Sequence, residues 1–160
     1  MCSSDLVTTS PDKLGQFAPL GAEEVLHTDE LDFSEMVLAL TEDLGAEVVI
    51  DTVGSVLFPS SWRSLAQFGR LVLLGEVAGK PVELSLAEII FRDAQVLGSS
   101  GVSRSVIERV ADMVSQGLVK PVVGGSMPLG EAANAFDMLS GRRRSEERRV
   151  GKECRSRWSP

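Results

Sequence analysis

Residues 46–55 read "AEVVIDTVGS", and this stretch decides the fold. Apolar residues run unbroken from Val48 to Ile50, and an aspartate, a threonine, a valine and a glycine then follow. A short, continuous apolar run is typical of a parallel strand that is covered on both faces. Because ligands of open parallel sheets bind beyond the carboxyl ends of the strands, the small and polar residues here indicate a ligand-facing turn.

The sequence around this stretch alternates short apolar runs with helical patterns, as parallel α/β folds do. A helix is predicted from Asp32 to Leu44, ended by Gly45, because apolar residues recur there every three or four positions. The other predicted elements are strands at 6–9, 23–27, 70–76 and 94–100 and helices at 59–67, 86–92, 130–142 and after Ser103 or Ser105. The pattern predicts an α/β fold with a parallel sheet.

Three of the predicted strands end in the same way, with glycine beside polar or small residues. These ends are Asp51 to Gly54, Leu74 to Glu76 and Leu97 to Ser99. Glycine lets a ligand approach the backbone closely, although ordinary strand-to-helix turns favour glycine as well. Three such ends on neighbouring strands favour a common ligand groove over three unrelated turns.

The first predicted strand ends in two hydroxyl groups, Thr9 and Ser10, with Lys13 close behind. In dinucleotide-binding folds the residue at this position faces the adenosine ribose, where an acidic side chain accepts from the 2′-hydroxyl of NAD. Hydroxyls and a cation instead suit the 2′-phosphate of NADP. The sequence therefore favours NADP, with NAD as the alternative.

Charge and composition exclude several classes of protein. Residues 1–141 carry 8 basic and 20 acidic side chains, and this acidic balance argues against nucleic acid as a partner. Residues 142–160 carry 8 basic and 3 acidic side chains, which indicates a tail unlike the body. The sequence contains neither a membrane-spanning apolar run nor a secretory signal pattern, and two distant cysteines predict no metal site or disulfide framework. A cytoplasmic protein is expected.

Several segments together resemble the cofactor-binding half of the medium-chain dehydrogenases/reductases, the superfamily of zinc-type alcohol dehydrogenases and quinone reductases. The segments are "GAEEVLHTDE" (21–30), "VVIDTVGS" (48–55), "GRLVLLGEVAGKPVEL" (69–84), "VLGSSGVSR" (96–104) and "VKPVVGGSMPLGEAANAFDMLSGRR" (119–143). The resemblance covers residues 6–143 and implies an α/β fold with a Rossmann-like, doubly wound parallel sheet of six strands in the order 3-2-1-4-5-6, here incomplete. It also implies hydride transfer between a nicotinamide cofactor and a small substrate, in a parent protein that forms a homo-oligomer.

The resemblance assigns roles to individual positions. Thr9, Ser10 and Lys13 would meet the adenosine end of the cofactor. The remaining positions would line the groove or lie near the nicotinamide, and they are Thr52, Val53, Gly54, Leu74, Gly75 and Leu97. No residue of this chain is expected to be catalytic or to bind metal, so any zinc would depend on ligands elsewhere in the parent.

The chain also departs from the family pattern. The first strand, its glycine-rich turn and the catalytic domain have no counterpart, so the Rossmann domain over 6–143 is expected to be partial. Segments 1–5 and 144–160 resemble translated vector sequence and are expected to be non-native or disordered tails. Without the central strand we expect two half-sheets, 3-2 and 4-5-6, unless strands 2 and 4 pair directly. We also expect weak NADP(H) binding and no turnover, because the pyrophosphate site lies in the missing turn.

Three functions remain open from the sequence. The first is an NADP(H)-dependent oxidoreductase of the zinc-type alcohol dehydrogenase kind, acting on a small alcohol or carbonyl. The second is a zinc-free enoyl or quinone reductase of the same superfamily. The third is a non-catalytic nucleotide-binding fragment or a methyltransferase-like domain, although Ser10 stands where a methyltransferase would carry an acid.

Overall fold

The fold is given by a computed structural model, which describes residues 5–8, 11, 14–28, 32–140 and 147–150. The chain divides into two compact units, Met1–Gly101 and Val102–Pro160. The strands are β1 (Asp5–Thr8), β2 (Glu24–His27), β3 (Ala46–Asp51), β4 (Leu65–Leu73), β5 (Gln95–Gly98), β6 (Val123–Met127) and β7 (Glu147–Val150). The helices are α1 (Leu14–Phe17), α2 (Ser34–Leu40), α3 (Phe58–Arg63), α4 (Leu86–Arg92), α5 (Arg104–Ser115) and α6 (Ala132–Ser140), with 3₁₀ turns at Ala18–Leu20 and Leu129–Glu131.

The first unit contains two separate parallel sheets. Strand β1 pairs with β2, and β3, β4 and β5 form a three-stranded sheet in that order. Strands 2 and 3 of the family order correspond to β1 and β2, and strands 4, 5 and 6 correspond to β3, β4 and β5. The two predicted half-sheets are therefore observed, and the α/β fold class with parallel strands is confirmed. Among the described residues β1 shares no ladder with β3. The alternative pairing of strands 2 and 4 is thus wrong.

One side of the three-stranded sheet carries the hydrophobic core of the unit. Phe58 and Trp62, one turn apart on α3, pack with Leu65, Leu71 and Ala94, and all five residues are buried. The partly buried residues packed against this cluster are Val49, Leu73, Leu84 and Ile89. Helices α3 and α4 thus cover one face of the sheet, as helical crossovers do in parallel folds.

The other face of β3 is open, contrary to the prediction that this strand is covered on both faces. Val48 and Ile50 are 44% and 62% exposed, whereas Val49 between them packs against the core. Successive side chains of a strand point to opposite faces, and no described element of the unit buries the second face of β3. The apolar run thus predicts the strand correctly, but the expected burial of its second face is wrong.

Helix α2 ends at Leu40, four residues before the predicted end at Leu44. Thr41 explains the early stop, because its Oγ1 donates to the Val37 carbonyl at 2.9 Å and accepts the Gly45 N–H at 2.9 Å. The chain then turns through Glu42 and Asp43, both at positive φ, before Gly45 at φ +80°. A threonine that bonds to its own helix competes with the helical ladder, and the period alone did not reveal this.

An ionic network fixes the beginning of α2 against α3. The Asp32 carboxylate accepts from the Ser34 hydroxyl at 2.6 Å, the Ser60 hydroxyl at 3.1 Å and the Arg63 guanidinium at 2.6 Å. These bonds, the two with Ser34 foremost, hold the pKa of Asp32 at about 2. The Asp32 carboxylate also accepts the Ser34 N–H at 3.1 Å. Phe33, and not Asp32, is the N-cap of α2, and it makes no side-chain capping bond.

Strand β4 begins with an irregularity. Ala46 of β3 lies opposite Leu65, but Val48 lies opposite Arg70, so β4 uses three more residues than β3 over this interval. The excess bends the chain at Phe68, a non-glycine residue with φ +60° and a side chain that is 70% exposed. From Arg70 onward the ladder is regular up to Asp51 opposite Leu73.

The second unit contains α5, β6, α6 and β7. Helix α5 follows Ser103, whose hydroxyl accepts the Val106 N–H at 3.4 Å, as predicted for a serine cap at this point. Strand β6 pairs in parallel with β7, which lies inside the segment that the sequence analysis treats as a tail. The rest of that tail lies outside the described residues, and the domain bounds 6–143 stay a prediction.

Gly45 generates a prediction about stability. A Cβ placed on Gly45 would lie 2.8 Å from the Ala66 nitrogen and 2.9 Å from the Ser64 oxygen, and its φ of +80° already disfavours side chains. We expect Gly45→Ala to lower the free energy of unfolding of the full chain by about 3 kcal/mol in urea denaturation. The matched control is Gly101→Ala, since Gly101 has φ +70° but no atom within 4 Å of its Cβ position. Control and variant with equal losses would contradict the steric argument.

Candidate functional site

A cleft of about 550 Å³ lies at the carboxyl ends of β3, β4 and β5. The three strands are parallel neighbours, so their ends open at the same edge of the sheet. The lining residues come from all three ends and from the loop after β4, and they are Gly54, Ser55, Phe58, Leu73, Leu74, Gly75, Glu76, Lys80, Val82, Gly98, Ser99 and Ser100. The strand ends singled out in the sequence therefore meet at one site.

Asp51 builds the turn that leaves β3. Its carboxylate is 4% exposed and accepts the N–H groups of Val53 and Gly54, each at 2.8 Å, through one oxygen. The other oxygen accepts the hydroxyl of Ser61 on α3 at 2.8 Å. Three protein donors thus satisfy the buried carboxylate.

Glu76 organises the loop after β4. Its Oε2 accepts the Ser55 N–H at 2.8 Å, and its Oε1 accepts the Ser55 hydroxyl at 2.8 Å. Oε1 also accepts the N–H groups of Ala78 at 2.9 Å and Gly79 at 2.8 Å. The carboxylate therefore closes its own loop and ties that loop to the end of β3.

These donors act on the charged form of Glu76. The bonds from Ser55 lower its pKa most, and the N–H groups of Gly79 and Ala78 lower it further, to about 2 from an ordinary value of 4.5. The side chain is exposed to solvent, so hydrogen bonding and not burial sets this pKa. The Glu76 carboxylate is therefore ionised at neutral pH.

The glycines at the strand ends have different roles. A Cβ on Gly75 would collide with the Thr52 carbonyl, and one on Gly54, at φ +83°, would lie 2.7 Å from the Gly75 oxygen. Packing between the ends of β3 and β4 therefore requires these two glycines. Gly98 has no atom within 4 Å of its Cβ position although it lines the cleft. Gly98 is the position where the missing side chain leaves space beside the backbone.

The predicted groove residues divide into three groups. Gly54, Leu74 and Gly75 line the cleft. Thr52, Val53 and Leu97 adjoin it in sequence but are not among its lining residues. The proposed adenosine-end residues Thr9, Ser10 and Lys13 lie outside the described residues.

Sequence reasoning missed the part of the cleft that comes from the loop after β4, above all Lys80 and Val82, together with Ser55 and Phe58. The spacing of Glu76 to Gly79 was the available signal, because an acceptor followed closely by a glycine is a common turn pattern. No local pattern announces that this turn reaches across to Ser55, since that contact spans 21 residues.

Two further properties concern metal ions and membranes. In the part of the chain that the structure describes, no three His, Cys, Asp or Glu side chains cluster closely enough to hold a metal ion. Over the same residues, no helix is long and apolar enough to cross a membrane.

Asp51 generates a prediction that separates structure from chemistry. Asp51→Ala leaves two N–H groups and the Ser61 hydroxyl without their acceptor, so we expect a loss of about 3 kcal/mol in urea denaturation. Asp51→Asn retains one acceptor oxygen and can bond with Ser61, so its loss is expected to be about 1 kcal/mol. Equal and negligible losses would show that the carboxylate is not needed for folding.

Glu76 generates a prediction about pH. Because its folded pKa lies below its unfolded value, its stabilising effect is complete above pH 4.5 and is lost as the pH falls toward 2. We expect Glu76→Gln to reduce the fall in urea midpoint between pH 5.5 and pH 3, and Asp32 accounts for a remaining part of that fall. Glu83→Gln, at an exposed position nearby, should leave the fall as in wild type. A Glu76→Gln profile parallel to that of wild type would refute the hydrogen-bonded arrangement.

Known proteins are similar to this chain in sequence. Acryloyl-coenzyme A reductase from Metallosphaera sedula is 33% identical over 115 residues, which are 71% of this chain and 32% of the reductase. D-arabinose 1-dehydrogenase (NADP(+)) from Saccharolobus solfataricus is 31% identical over 121 residues, which are 75% of this chain and 34% of that dehydrogenase. The chain thus spans about a third of the length of these curated relatives.

A solved structure gives the same relationship. The crystal structure of an NAD-dependent alcohol dehydrogenase superposes with a TM-score of 0.83 at 30% identity, covering 93% of this chain and 43% of the dehydrogenase. The family model described as zinc-binding dehydrogenase matches residues 6–116, more than half of the chain. The chain therefore belongs to the zinc-binding dehydrogenase family, within the medium-chain dehydrogenases/reductases.

Proposed function

We propose that the protein is an NAD(P)-dependent oxidoreductase and that this chain holds the nicotinamide end of the cofactor. The observation that supports it most is the cleft at the carboxyl ends of three adjacent parallel strands, the position at which open α/β sheets bind ligands. Family membership and the names of the relatives, which are reductases and dehydrogenases, support the same reaction class.

The cleft has the groups that such a ligand requires. Gly98 leaves space for a flat ring against the backbone, and Phe58 and Leu73 give apolar surface that excludes water from one side of it. The hydroxyls of Ser99 and Ser100 would orient a carboxamide by hydrogen bonds. A bound nicotinamide would supply the hydride chemistry, and the residues of this chain would bind and orient it.

NADP is the proposed cofactor and NAD is the alternative. Thr9, Ser10 and Lys13 favour a 2′-phosphate by their chemistry. Among the relatives, the D-arabinose dehydrogenase is named for NADP(+) and the structurally similar alcohol dehydrogenase for NAD, so the comparisons support both.

The proposed substrate is a small alcohol or carbonyl compound, handled by a zinc-type enzyme of the alcohol dehydrogenase kind. An enoyl or quinone reductase without zinc is the second candidate, and the similarity to a reductase of acryloyl-coenzyme A favours it specifically. No residue of this chain is assigned a catalytic role or a zinc, and homo-oligomer formation by the parent and a cytoplasmic location remain proposals.

Gly98 provides the experiment. We expect NADPH, titrated into the ¹⁵N-labelled full chain, to shift the amide signals of Gly54, Gly75 and Gly98 with an affinity in the millimolar range. Gly98→Val places side-chain atoms in the cleft, and its Cβ meets no atom within 4 Å, so it should weaken the affinity measured from these shifts at least ten-fold. Gln95→Val, an exposed position on the same strand, serves as the matched control and should bind as wild type.

Two results would contradict the proposal. Amide shifts confined to residues outside the cleft would place the nicotinamide elsewhere. Unchanged affinity of Gly98→Val, with circular dichroism showing an intact fold, would remove Gly98 from the binding site. Micromolar affinity for NADPH would instead refute only the expected weakness of binding.

A further inference from the structure

We infer that Lys80 is an anion-binding residue of the cleft, held there by Glu76 and Ser55, and that it receives a phosphate or carboxylate of the molecule that occupies the cleft. This inference rests on the proposed function for its setting and adds the charge that the ligand must carry. The anion has two possible sources, the phosphate next to the nicotinamide ribose or an acidic group of the substrate.

The loop geometry places Lys80 at the cleft. Glu76 accepts hydrogen bonds from Ala78 and Gly79, which closes the loop over three residues and directs the chain toward Ser55. The Ser55 hydroxyl donates to Glu76 at 2.8 Å and lies 3.4 Å from the Lys80 N–H, which donates to it. The backbone of Lys80 is therefore bonded to Ser55 and directly follows a loop that Glu76 closes, so the side chain begins at a defined point of the cleft wall.

The acidic and the basic side chain at the cleft differ in how many protein partners they already have. Glu76 and Lys80 are the acidic and the basic residue among the lining residues. The Glu76 carboxylate is already occupied by four donors from its own chain. In the part of the chain that the structure describes, the Lys80 ammonium forms no ion pair, as the two ion pairs found join Arg63 to Asp32 and Arg104 to Glu108. A cation without a protein counterion on a cleft wall favours an anionic ligand group.

The test uses three probes that separate the sources of the anion. β-Nicotinamide mononucleotide carries the nicotinamide ring, the ribose and one phosphate. Nicotinamide riboside lacks only that phosphate, and orthophosphate is the anion alone. Each is titrated into the ¹⁵N-labelled full chain, and the amides of Ser55, Gly75 and Lys80 are followed. The variants are Lys80→Gln, Lys80→Arg as the charge-retaining rescue, and Lys120→Gln, a lysine of the second unit, as the control for net charge.

If the anion is the cofactor's phosphate, Lys80→Gln weakens the mononucleotide by about three-fold, as expected for an exposed ion pair, and leaves the riboside unchanged. If it belongs to the substrate, Lys80→Gln weakens orthophosphate but neither nicotinamide probe. Lys80→Arg and Lys120→Gln should match wild type in both cases. Orthophosphate and mononucleotide affinities that are both unaffected by Lys80→Gln, or no response to either anion, would overturn the inference.

The outcome for Lys80 is separable from the outcome for the proposed function. Failure of both nicotinamide probes with a Lys80-dependent response to orthophosphate would reject the nicotinamide site and retain the anion site. Binding of the riboside and mononucleotide, with Lys80→Gln changing neither the mononucleotide nor the orthophosphate affinity, would retain the nicotinamide site and reject the anion site.

Glu76 is a positioning residue in this account, and a double-mutant cycle tests that role. Glu76→Gln releases part of the loop, so it should weaken the anionic probe that depends on Lys80, by about three-fold, and leave the riboside unchanged. In the Lys80→Gln background the same substitution should have no further effect. Additive losses in the double mutant would show that Glu76 acts on the cleft independently of Lys80.

Discussion

The site depends on the hydrogen bonds that the buried Asp51 carboxylate accepts. A charge removed from water must be surrounded by donors, and here the chain supplies them from the turn after β3 and from α3. The same helix carries Phe58 and Trp62 into the hydrophobic core. The turn after β3, the docking of α3 and the core under the sheet are therefore linked through one buried side chain.

Glu76 repeats this arrangement in contact with solvent. The carboxylate oxygens of Asp51 and Glu76 both accept hydrogen bonds from backbone N–H groups and serines. Asp51 does so inside the protein and Glu76 on its surface. For Glu76 these bonds keep the pKa at about 2, so this carboxylate is a poor acid or base at neutral pH. In this part of the molecule carboxylates shape the walls of the cleft, and its remaining chemistry lies in space, hydroxyls and one lysine.

Much of the architecture could be predicted because it is local. The helix at 86–92 follows from its apolar period and the strand before Thr52 from its apolar run, and the structure confirms both. Strand β4 instead begins at Leu65, inside the segment 59–67 that was predicted to be helical, and it ends at Leu73. The open face of β3 could not be predicted, since an apolar run reports a preference for burial and not whether a partner exists. Likewise, the reach of Glu76 to Ser55 depends on how two loops meet in space, to which no sequence period refers.

The glycines show that two different physical causes can place the same residue at a strand end. Gly54 and Gly75 were singled out as places of close ligand approach, yet their nearest neighbours are each other's loops. Only Gly98 of the three faces open space. Loop packing and ligand access select the same amino acid, so sequence alone cannot separate them.

The irregular start of β4 has a consequence for how this fold can vary. The three additional residues before Arg70 are absorbed at the amino end of the strand, and the ladder from Arg70 to Leu73 keeps its register with β3 and β5. Changes in length near Phe68 can therefore accumulate at the rim opposite the cleft without shifting a single strand terminus at the cleft. Divergence within such a lineage is free to lengthen or shorten one pole of the sheet while the other keeps its geometry.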